Sequence, residues 1–157
     1  MLASDRFAST GSSHALDAAA RRGALVRIRH GAYATVDEWG AVDPGTRMLA
    51  AIDATRSAAR TGEPVFAYES AAAKHGIPLI GAWPSRAHVI TAHGGATSNA
   101  SVIRTRRMTP RESLVVLGDG AVVTSLITTA IDLAATRTPL GGIVAFDHLR
   151  FHHGVDI

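Results

Sequence analysis

The sequence predicts an α+β fold, on three observations. Its 157 residues are 46% hydrophobic and 18% charged, enough apolar material to close a core. Helical spacing of apolar residues alternates with short runs of period two. Gly and Pro separate these segments at regular intervals. Aromatics make up only 5%, so Ala, Val, Ile and Leu must fill the interior.

In chain order, Leu2 to Phe7 fits a short helix broken by Ser9-Thr10-Gly11. Ser12 or Ser13 then offers an N-cap for a helix over His14 to Arg22, with Leu16, Ala19 and Ala20 on one face. Gly23 sits where a left-handed C-cap is wanted. Leu25 to Arg29 alternates, which sends Val26 and Ile28 one way and Arg27 and Arg29 together the other. His30-Gly31 is the turn, Ala32 to Val36 the return strand, and Tyr33 its anchor. A linker is expected around Trp39 to Gly45.

Asp43-Pro44 is a helix start, with Asp as N-cap and Pro at the first position. That helix is predicted to about Arg60, burying Met48, Ile52 and Thr55 or Ala59. Val65 to Tyr68 reads as a strand, and Glu69 to His75 as an Ala-rich helix stopped by Gly76 and Pro78. Strands follow at Ala87 to Thr91 and Val102 to Arg107, joined by a polar loop from His93 to Ser101. Leu114 to Leu117 and Ala121 to Val123 flank Gly118-Asp119-Gly120, a hairpin signal. Thr124 or Ser125 caps a helix to about Thr136, and a last helix follows Pro139.

The first 36 residues therefore have the layout of a winged helix-turn-helix, and residues 43–157 that of a small α+β domain. The net charge of +3 is unevenly placed. Residues 1–36 carry five Arg against two Asp, and residues 70–111 carry Lys74 and five Arg against no acid. The segments between and after them are acidic. Arginine suits bidentate contact with phosphate or guanine. In the first block Ser12, Ser13 and His14 stand at a helix N-terminus, where backbone amides and hydroxyls meet phosphate. Arg21 and Arg22 stand at its far end, and Arg27, Arg29 and His30 on the wing. In the second block Arg104, Arg106 and Arg107 form a secondary basic surface. Three readings of it stay open: a phosphate-contacting face, a dock for an acidic protein, or a solvated strand edge.

Other chemistry finds little support. The absence of cysteine excludes disulfides, Cys-ligated zinc, iron–sulfur clusters and a cysteine nucleophile. His148 and His152 have a metal-ligand spacing without an HExxH pattern, so no metal or other cofactor is expected. Ser70 lies in no G-x-S-x-G elbow, and the His93 to Ser98 loop has no Walker lysine. Asp17, inside a helix, lacks the second carboxylate of a nucleotidyltransferase site. The chain is not expected to be an enzyme. No signal peptide or membrane span is expected, and the expected compartment is the cytoplasm.

Three stretches carry a family resemblance. Gly23 to Tyr33, Val65 to Pro78 and Gly118 to Ala135 resemble, in this order, three segments of actinobacterial regulators of the AbiEi antitoxin type. The resemblance implies a winged helix that binds inverted repeats in its own promoter and represses it. It also implies a C-terminal part that counteracts a nucleotidyltransferase-like toxin, as in type IV toxin–antitoxin systems. A module that neutralises such a toxin without needing DNA is the alternative. Two positions depart from the family: Thr128 replaces an Arg, which removes a salt bridge expected there, and Tyr68 replaces a common His. Longer relatives continue into a domain resembling a very-short-patch-repair nuclease, and no nuclease chemistry is expected of these 157 residues. The segments around Ser70 and Asp132 read as packing elements, with Asp132 accepting from backbone or pairing with Arg137.

Overall fold

The computed structural model describes residues 13–29, 31–92 and 98–155. The expected Leu2 to Phe7 helix, Ser12, His30 and residues 93–97 of the polar loop lie outside them. The described residues form an α+β fold: a two-stranded hairpin, a mixed five-stranded sheet and helices packed against both.

Helix α1 (Ser13–Arg21) ends at Gly23, whose φ of 77° is the left-handed turn expected there. Strands β1 (Leu25–Arg29) and β2 (Ala32–Thr35) pair antiparallel. The return strand stops one residue early because Thr35 caps a new helix, α2 (Val36–Ala41). The Thr35 hydroxyl accepts from the Glu38 amide and donates to the Glu38 carboxylate. The segment expected to begin a linker at Trp39 is thus part of a short capped helix. Helix α3 (Pro44–Ser57) starts on the predicted Asp43 cap and buries Met48, Ala51, Ile52 and Thr55.

The sheet order is β5-β4-β3-β7-β6. Strand β3 (Val65–Phe66) pairs antiparallel with β4 (Ala87–Thr91) and parallel with β7 (Val122–Thr124). Strand β5 (Val102–Arg106) runs parallel to β4, and β6 (Leu114–Val116) closes the expected hairpin with β7. Phe66, Ala87, Val89, Val102 and Val123 pack with Met48, Ala51 and Ile52 of α3 in the main core, which Ile28 of the hairpin joins. Helices α4 (Tyr68–His75), α5 (Leu126–Thr136) and α6 (Pro139–His153) form a second core through Ala72, Ile77, Ala130, Leu133, Ala145 and Leu149. At the α5–α6 contact a Cβ on Gly142 would lie 2.9 Å from the Ala134 Cβ, so only glycine permits this approach. No helix among the described residues is long and apolar enough to cross a membrane.

Candidate nucleic-acid interface

Helix α1 half-buries Leu16, Ala19 and Ala20 and leaves His14, Arg21 and Arg22 exposed. One polar tie fixes it to the hairpin. The buried Tyr33 donates its hydroxyl to Asp17 Oδ1 at 2.5 Å, and Arg27 Nη1 stands 3.6 Å from the same oxygen. The hydrogen bond to Asp17, with burial second, raises the Tyr33 pKa above the ordinary tyrosine value. Asp17 is therefore part of the helix–hairpin tie. Ser13 opens α1, while Ser12 and His30 fall outside the described residues.

Arg27 and Arg29 do not project together. Arg27 sits across from Tyr33 and Arg29 across from Ala32, so Ile28 is an extra residue in the ladder. Cross-strand partners share a face, and a bulge reverses the alternation beyond it. Arg27 accordingly faces the α1 side and keeps 47% of its side chain exposed. Arg29 turns to the other face and donates through Nη1 to the carbonyls of Ala54 (3.4 Å) and Thr55 (3.3 Å) in the last turn of α3. A cation there satisfies unpaired carbonyls and complements the helix dipole. Burial, then the nearby charge of Arg104, lowers the Arg29 pKa.

The second basic block divides. Arg104 and Arg106 share a sheet face, paired with Val89 and Thr91. Arg107 leaves this surface. Its Nη1 donates to Asp132 Oδ1 at 2.5 Å, its Nε donates to the Thr109 hydroxyl, and its guanidinium lies 5.3 Å from the Tyr68 ring centroid. The hydrogen bond to Asp132 raises its pKa, against burial. Asp132 thus pairs with Arg107 rather than Arg137. Arg137 donates to Glu69 Oε1 at 2.9 Å and to the Ala82 carbonyl. Asp132 therefore has an arginine partner from the sequence-distant residue just after β5, although Thr128 offers none from its own helix.

A polar cluster that sequence reasoning missed lies between α4 and the sheet. The Tyr68 ring stacks on His88 at 4.1 Å. His88 Nε2 lies 2.7 Å from the Thr105 hydroxyl, and Nδ1 lies 3.8 Å from Glu69 Oε2. Burial pushes the Glu69 carboxyl up, but the His88 hydrogen bond, its own backbone amide and Arg137 outweigh this and hold it below the usual range. Tyr68 has φ 53°, the one positive φ outside glycine among the described residues. The sequence pattern reads Tyr68 as the end of a strand, whereas it opens α4. The cluster is satisfied internally and reads as a clamp of α4 onto β4 and β5.

His148 and His152 stand with ring centroids 4.6 Å apart beside a shallow 230 Å³ groove with Pro78 and Phe151. Among the described residues no group of three or more His, Asp or Glu is arranged to hold a metal. Comparison with known proteins found no family model, curated protein or solved structure that matches the chain.

Proposed function

We propose that the chain is a DNA-binding transcriptional regulator that acts on its own promoter in the cytoplasm, as the resemblance to AbiEi-type antitoxins implies. The observation that carries this reading is the Tyr33–Asp17–Arg27 tie, which holds α1 and the hairpin in one orientation. It leaves exposed arginines on both: Arg21 and Arg22 at the helix end and Arg27 on the hairpin. Phosphate contacts from such residues supply affinity without reading sequence, while the start of α1, where His14 is exposed, is the part offered to the groove. Arg29 supports the surface from within, by holding the hairpin on α3.

Fluorescence anisotropy with the upstream duplex over a salt series tests the reading. Arg27→Ala is expected to weaken binding to all duplexes alike and to reduce the salt slope by about one. An unchanged slope would remove the hairpin from the interface.

A second reading, a protein-interaction module that neutralises a nucleotidyltransferase-like toxin, draws on one observation. Ile127, Ile131, Leu140 and Ile143 of α5 and α6 are each more than half exposed, and exposed apolar patches mark interaction surfaces. Co-purification with the neighbouring gene product, without any shift of promoter DNA, would favour it.

A further inference from the structure

Helices α5 and α6 form a hairpin with one face in solvent. Only Arg137 and Thr138 connect them, which makes them antiparallel neighbours. Gly142 packs on Ala134 at their contact, yet Ala134 is exposed, so the seam between the helices opens to solvent there. Ile131 lies one turn before Ala134 and Ile143 directly after Gly142, and both are exposed on the outer side of that seam. On α5, Ile127, Ile131 and Ala134 are exposed at spacings of four and three. On α6, Leu140, Ile143, Asp147 and Arg150 are exposed at spacings of three, four and three. A stripe with these spacings is what one helix presents to another.

The charges on the hairpin choose the occupant. Asp132 and Arg137 are held by Arg107 and Glu69. Asp147 and Arg150 are the other charged pair of α5 and α6, and among the described residues neither side chain has a hydrogen-bond or ion-pair partner. They stand on the exposed stripe itself, one acid and one base. A partner of a single charge sign would match one of them and repel the other. A second copy turned about a two-fold axis matches both, because such an interface sets a patch against itself. A parallel arrangement would oppose like charges, so the two α6 helices run antiparallel.

We infer that the exposed face of α5 and α6 is a self-association surface, occupied by the same face of a second copy of this chain. Asp147 pairs with the partner's Arg150, and Arg150 with the partner's Asp147, beside the isoleucines of both copies. A face two helix diameters wide and about 20 Å long removes on the order of 1,000 Å² from the two copies together. That is the low end for a specific interface, so the dimer is weak and reversible. The inference is independent of the DNA-binding reading.

Sedimentation velocity of the full chain from about 1 to 500 µM tests it. Wild type is expected to pass from monomer to dimer with a dissociation constant of about 10–100 µM. Asp147→Arg alone and Arg150→Asp alone each oppose like charges and are expected to weaken the dimer at least about 10-fold. An equimolar mixture of these two variants restores both pairs and is expected to regain the wild-type constant. Ile131→Glu is expected to stay monomeric throughout; should it not fold, the charge variants decide alone. Monomeric wild type at the highest concentration overturns the inference. A dimer that neither charge variant weakens, or a mixture no tighter than its components, places self-association elsewhere and also overturns it. A monomeric wild type that binds the neighbouring gene product, and loses it on Ile131→Glu, gives the face to another protein and overturns it too.

Discussion

Asp132 is 7% exposed and accepts from Arg107 at 2.5 Å, bridging α5 to the chain just after β5. Removing one partner of such a pair leaves the other buried without compensation, which costs about 3–5 kcal/mol in buried sites. Arg107 keeps 26% of its side chain exposed, and water screens part of that loss. Asp132→Ala is therefore expected to destabilise the fold by about 2–3 kcal/mol in urea denaturation; a loss under about 0.5 kcal/mol would make the pair incidental. His75 gives a pH dependence. Burial lowers its pKa, opposed by its 2.7 Å hydrogen bond to the Thr124 carbonyl and reinforced by the His153 charge. Neutral His75 is the form that the fold prefers, so its contribution is complete above an unfolded value of about 6.5 and is lost as pH falls toward the lower folded value. The thermal midpoint is expected to drop between pH 7.5 and 5.5, and His75→Gln to shrink that drop. An identical drop in the variant would assign the effect to other groups. Each of these residues is legible as a type in the sequence, but its partner is not. Asp132 and Arg107 are 25 positions apart, and Glu69 and Arg137 are 68.

Elements were more legible than contacts. The Asp43-Pro44 start, the Gly23 and Gly76 stops, and the β4 boundaries follow from local chemistry that tertiary structure leaves intact. Helix α2 was missed although Thr35-x-x-Glu38 is a capping box, because its six residues bury no apolar stripe. The bulge at Ile28 has no local marker, and it decides which arginines share a face. Two glycines test the helices in opposite directions. Gly142→Ala puts a Cβ 3.0 Å from the Ala134 backbone and is expected to cost about 1–3 kcal/mol by prising α5 from α6. Gly40→Ala, in α2 with nothing within 4 Å, is expected to stabilise by about 0.5–1 kcal/mol. Chemical denaturation of both variants checks the pair; equal signs would contradict the α5–α6 contact.

Over the whole molecule, charge is the organising quantity. A net +3 conceals two arginine-rich blocks separated by acidic segments. Folding engages part of that charge internally: Lys74 with Asp119 and Arg107 with Asp132. It also ties Arg29 of the hairpin to the last turn of α3. The clustering was visible in the sequence, but the division between structural and surface arginines was not, since it depends on register and distant partners. The central claim, that these arginines meet DNA phosphates, is tested most directly by the salt dependence of wild-type affinity for the upstream duplex. Arg21, Arg22 and Arg27 as phosphate contacts predict a slope of about −2.7 in log affinity against log salt. A slope shallower than about −1, or no binding at all in low salt, would contradict the account.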